Sequence, residues 1–87
     1  MESCEEEIGR VDHFYSHAHI AGIWLRSGKL RLGDLVHIKG HTTDFEETVQ
    51  SLQIEHHDVR EADRGAHVGI PVHEKVRAHD RVFIVHQ

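Results

Sequence analysis

The residues best equipped for chemistry in this 87-residue chain are its eleven histidines. His17 and His19 stand two apart and would share one face of an extended segment, and the adjacent His56 and His57 could add a further ligand. Imidazole pairs of that kind suit zinc, nickel or copper. No Cys-x-x-Cys, no His-Glu-x-x-His and no carboxylate at a ligand-like offset accompanies them. Histidines this numerous form pairs by accident, so no resident metal or other cofactor is expected.

A catalytic centre needs a nucleophile or base with an orienting partner. Ser3, Ser16, Ser27 and Ser51 lack a Gly-x-Ser-x-Gly setting, and Glu46 and Glu47 would point to opposite faces of a strand. The lone Cys4 sits among acids that disfavour its thiolate. The chain is therefore expected not to be an enzyme. Binding is the alternative chemistry. Lys29, Arg31 and Lys39 fall on the polar face of the central stretch, and Lys75 and Arg77 flank the last loop; converging, they would make a phosphate-contacting patch. Trp24, the single tryptophan, is expected on the outside, either capping a gap in the core or anchoring a partner.

The elements that must position these groups are strands. Residues 28–40 are the organising stretch, with turns at Gly28 and at Gly33-Asp34. Leu30 and Leu32 alternate with Lys29 and Arg31, and Val36 and Ile38 with His37 and Lys39, the period of a half-buried strand. Before them, strands are predicted at 8–15 and 20–26, the second turning Ala21, Ile23 and Leu25 inward. After them, residues 45–57 read as extended, anchored by Val49, Leu52 and Ile54, with a bulge or bend near Ser51. Residues 58–64 read as one helical turn, capped by Asp58 and stopped by Gly65. Strands at 65–72 and 80–85 close the chain. Six short strands with glycine turns predict an all-β, closed, six-stranded barrel over residues 8–87, preceded by a solvated acidic segment at 1–7.

Composition sets the outer limits. One domain with 38% hydrophobic residues must build a small core from Val, Ile and Leu. A formal charge of −5 argues against generic nucleic-acid binding. That charge is soft, because about ten protonated histidines near pH ~5.5 would reverse it. One cysteine excludes an internal disulfide, no apolar run is long enough for a membrane helix, and the acidic start is unlike a secretory signal. A cytoplasmic protein is expected.

In order along the chain stand Gly9-x-Val11, Gly28-x-Leu30-x-x-Gly33-Asp34-x-Val36-x-Ile38-x-Gly40, Val49-x-Ser51-Leu52-Gln53, Ala62-x-x-Gly65-x-x-Val68-Gly69-Ile70 and Asp80-x-Val82. This pattern resembles the second domain of translational GTPases such as elongation factor Tu and initiation factor 2, over residues 8–85. The resemblance implies a Greek-key barrel that contacts the translation machinery or RNA, with a ribosome- or tRNA-containing complex as partner. It departs in two respects. No Gly-x-x-x-x-Gly-Lys-Ser/Thr occurs, so no GTP binding is expected. Gly22 stands where elongation factor Tu presents a threonine to the aminoacyl end. Similar barrels also serve as accessory domains of unrelated enzymes, U32-type peptidases among them, so a protein-interaction module without RNA contact is the second reading.

Overall fold

The structure, a computed structural model, describes residues 4–86. Ten strands follow one another: β1 (Cys4–Tyr15), β2 (Ile20–Leu25), β3 (Lys29–Arg31), β4 (Leu35–Lys39), β5 (Asp44–Thr48), β6 (Gln53–Ile54), β7 (His57–Asp58), β8 (Glu61–Asp63), β9 (His67–Pro71) and β10 (Arg81–His86). Alternation decides their faces. Ala21, Ile23 and Leu25 of β2 point inward, with Val36 and Ile38 of β4, Val68 and Ile70 of β9, and Val82 and Ile84 of β10. These side chains merge with Ile8 and Val11 of β1 into one aliphatic core. No helix occurs among the described residues, so none is long and apolar enough to cross a membrane.

The chain is all-β, but its strands do not close into the six-stranded barrel expected from the sequence. Eight strands make one antiparallel sheet in the order β5-β4-β10-β1-β2-β9-β6-β7, and β3 pairs with β8 as a separate ribbon. The ladder stays open because residues 49–52 leave it. Val49 and Leu52 both turn inward, which strict alternation forbids within one strand. The bend takes its hydrogen bonds elsewhere: Gly33 N–H donates to the Val49 carbonyl and Val49 N–H to the Asp34 carbonyl, each at 2.8 Å. The ribbon seals the core instead, with its cross-strand partners Leu30 and Ala62 both buried. Leu32, expected to share the buried side with Leu30, is exposed just past the ribbon. The open edges are poor templates for a further strand: β5 carries Asp44, Glu46 and Glu47, and β7 is two residues long.

The helical turn expected at 58–64 is likewise absent, replaced by β7 and β8. Asp58 accepts a hydrogen bond from Gln53 Nε2 at 3.0 Å rather than capping a helix. Glu61 meets Lys29 at 3.0 Å across the ribbon. One turn of helix cannot offset its own nucleation cost, so long-range pairing overrides the local capping signal.

The acidic segment expected to be solvated is also partly ordered. Met1–Ser3 lie outside the described residues, but Cys4–Glu7 form the first leg of β1, paired with β10 from Cys4↔His86 to Glu7↔Phe83. Each acid there meets a base on another strand. Glu5 reaches His37 Nδ1 at 2.9 Å, Glu6 reaches His86 Nε2 at 2.9 Å, and Glu7 accepts from Arg81 at 2.9 Å. His37 is held from both sides, because its Nε2 lies 2.5 Å from Asp44 Oδ1. Hydrogen bonding to Asp44, with Glu5 adding to it, raises the His37 pKa against the opposing effect of burial. The bond to Arg81 lowers that of Glu7.

Two irregularities divide β1. The register slips between Glu7 and Gly9 against β10, and between Val11 and His13 against β2. Gly9 permits the first: a Cβ there would run into the Trp24 carbonyl.

Candidate functional site

Gly22 of β2 and Gly69 of β9 are cross-strand partners on the outer face. With no side chain at either, that face carries a trough of about 520 Å³ where a full sheet would present a flat wall. The neighbouring elements raise its rim. Beyond its slip in register, β1 brings Asp12 and Tyr15 over Gly22: a Cβ at that glycine would lie 2.7 Å from Asp12 Oδ1 and 3.4 Å from the Tyr15 ring. Ile20 supplies apolar lining, its Cγ2 beside Gly69.

The polar side of the rim is built from charged and titratable groups. His67 Nδ1 lies 2.9 Å from Asp12 Oδ2, which leaves Oδ1 facing the trough. The His67 ring stacks on Trp24, with centroids 5.8 Å apart and planes 5° apart, and the Arg26 guanidinium sits 5.3 Å from the same indole. Trp24 therefore buttresses His67 from outside the cleft while remaining 44% exposed. Across the opening stand Gln53, Glu55 and His56.

Glu55 and His56 form the two-residue loop of the hairpin that joins β6 to β7, pairing Gln53↔Asp58 and Ile54↔His57. Both have positive φ, 50° and 67°. A hairpin loop of that kind favours Asn-Gly, since two successive left-handed residues are costly for side chains with a Cβ. Here the sequence places a Glu and a His instead, at about 1–3 kcal/mol of backbone strain each, and both line the cleft.

The residues singled out from sequence are distributed as follows. Lys29 and Arg31 lie on the ribbon beside Glu61, Lys29 at 3.0 Å and Arg31 at 3.7 Å, with Asp63 3.5 Å from Lys29. Lys39 ends β4, Lys75 is exposed in the loop after β9, and Arg77 donates to Thr42 Oγ1 at 2.9 Å. His17 is exposed in the turn after β1, and His19 packs edge-on to Phe14. His57 belongs to β7, and only His56 of that pair lines the cleft. Among the described residues no three His, Cys, Asp or Glu side chains come together as a metal set. Sequence reading missed Asp12, Glu55, His67 and the Gly22–Gly69 floor, because that floor depends on register between strands about fifty residues apart. The legible signal was the pair of unlike residues between two short extended runs at 53–58.

No family model matches the chain. It is 44% identical over 80 residues to an uncharacterised protease of Methanocaldococcus jannaschii, covering 91% of this chain and 19% of that protein. It is 32% identical over 77 residues to a collagenase of Porphyromonas gingivalis, covering 87% of this chain and 21% of the collagenase. The chain thus spans about a fifth of the length of these relatives. Its fold matches that of the C-terminal domain of a Geobacillus thermoleovorans protein described as a U32 peptidase, with a TM-score of 0.83, 20% identity and 91% coverage of both chains. These findings overturn the expected kinship with the second domain of translational GTPases, whose glycine and core positions report only on a β-rich scaffold. The expected contact with the translation machinery or RNA falls with it. The expectation that the chain is not an enzyme is contradicted as well, since the relatives are named as a protease and a collagenase.

Proposed function

We propose that this chain is a domain of a U32-type peptidase, and that the cleft floored by Gly22 and Gly69 holds part of a polypeptide substrate. The 44% identity over 80 residues to a protease carries the reading. The cleft supports it, since a trough of about 520 Å³ with an apolar floor and a polar rim matches the usual make-up of a ligand site. No serine, threonine or cysteine lines it among the described residues, so the Asp12–His67 pair has no nucleophile to activate there. In this reading the pair orients a bound segment, and bond cleavage falls to groups on the rest of such a protein.

The test is a titration of the purified chain with gelatin-derived peptides, followed by amide NMR. Shifts clustering at Gly22, Gly69, Glu55 and His67 are the expected result. Shifts confined to other strands, or none at all, would remove the cleft from the substrate path.

A further inference from the structure

The charges around the cleft are unevenly matched. Asp12 from β1 and Glu55 from the β6–β7 turn are its two carboxylates, and no lysine or arginine lines it. Several acids outside it are paired with bases on other strands: Glu5, Glu6 and Glu7 with His37, His86 and Arg81, and Glu61 with Lys29 and Arg31. In the cleft Asp12 has His67 on one oxygen only, and Glu55 has no hydrogen bond or ion pair among the described residues. Tyr15, 54% exposed, places its ring over the same floor as Asp12 Oδ1. A carboxylate oxygen beside an aromatic ring, with a second carboxylate across an apolar trough, complements a cation on a long aliphatic stem. The stem would lie along Ile20, and the head would meet the acids and the ring.

We propose that the cleft is a pocket for a lysine or arginine side chain of an extended polypeptide, gripped between Asp12, Glu55 and the Tyr15 ring. The proposal rests on the polypeptide reading of the cleft and adds the chemical class of the residue held there. The strained turn has a role in it: left-handed φ at Glu55 and His56 sets the hairpin tip, and so the Glu55 side chain, on the rim opposite Asp12. His56 and His67 are the other titratable groups facing the opening. Binding is therefore measured at about pH 8, above the ordinary imidazole range.

The probes are two capped tripeptides, acetyl-Gly-Arg-Gly-amide and its citrulline counterpart, which keeps the shape of arginine but carries no charge. Each is titrated into the full chain by amide NMR. The arginine peptide is expected to shift Gly22, Gly69 and Glu55 and to bind about tenfold more tightly than the citrulline peptide, the difference between a charge-assisted and a neutral hydrogen bond. Asp12→Asn and Glu55→Gln should each erode that preference. Glu55 lies on an exposed turn, so its variant tests the charge without disturbing the fold. Equal binding of both peptides at these amides would overturn the cationic assignment and leave the polypeptide reading standing. Shifts by the arginine peptide only at the ribbon acids Glu61 and Asp63 would overturn the cleft as the cation site. No shift by either peptide at about 10 mM, a concentration that detects even millimolar affinity, would overturn both readings.

Discussion

The two ends of β1 solve opposite problems with the same residue types. At the N-terminal leg, each acid from Glu5 to Glu7 finds a base on another strand, and His37 is gripped by two carboxylates at once. At the C-terminal end, Asp12 shares one oxygen with His67 and turns the other towards a trough. Histidine and carboxylate recur at both, yet one end is knitted shut and the other is left open. Acid–histidine pairs therefore do not mark function by themselves. What separates the two ends is the floor beneath them: residues with side chains under the first, and the Gly22–Gly69 pair under the second.

The sharpest way to break this division is at Gly9, where the register slips between the two ends. Gly9→Ala drives a methyl group into the Trp24 carbonyl, and the overpacking is expected to cost about 1–3 kcal/mol in urea unfolding. An unchanged midpoint would mean that β1 can slide and that its ends are not independently set. A smaller effect, of opposite sign, is expected from the open end. Replacing Glu55-His56 with Asn-Gly puts residues that tolerate left-handed φ at both positions and should raise stability by about 1 kcal/mol. The same change should weaken peptide binding in the NMR titration. A variant that is no more stable would show that the turn carries no strain.

The smallest effect belongs to the closed end. The folded-state pKa of His37 is raised by Asp44 and Glu5, so its contribution is complete below the unfolded value of about 6.5 and fades as pH climbs through the raised one. The pKa of Asp44 is lowered, chiefly by its hydrogen bond to His37, so its share appears above about pH 4 and is lost in acid. His37→Gln should therefore destabilise most between about pH 5 and 6.5, by less than about 1 kcal/mol, and converge with the parent in mild alkali. Thermal melts across that range provide the check. A difference independent of pH would mean that imidazole packing against Phe83, and not its charge, holds this end.

The inward faces were legible in the sequence because they obey a local rule. Ala21, Ile23 and Leu25, then Val36 and Ile38, alternate as read, and Trp24 stands outward between its neighbours. What misled was information that is not local. Asp58, Glu61 and Gly65 carry a helix's signals, but Glu61 is claimed by Lys29 across the ribbon. The charge run at residues 4–7 reads as a solvated tail until its partners, some thirty to eighty positions away, are known. The cleft was hidden for the same reason. Gly22 and Gly69 are unremarkable alone, and make a floor only when β2 and β9 meet in one register. The glycine spacing shared with translation factors describes turns and close strand contacts, which several β scaffolds require, and so could not identify the right relatives.

The strand order also governs how the molecule comes to exist. β10, the last strand described, lies between β4 and β1, and β1 is the first. β1 also pairs with β2 and β4 with β5, so without residues Arg81–His86 the sheet falls into two halves whose facing edges are unpaired. The β1–β10 pairing closes the longest loop in the sheet, and contacts of that sequence separation are the slowest to form. Loss of those six residues would remove the keystone between two half-sheets rather than trim an edge.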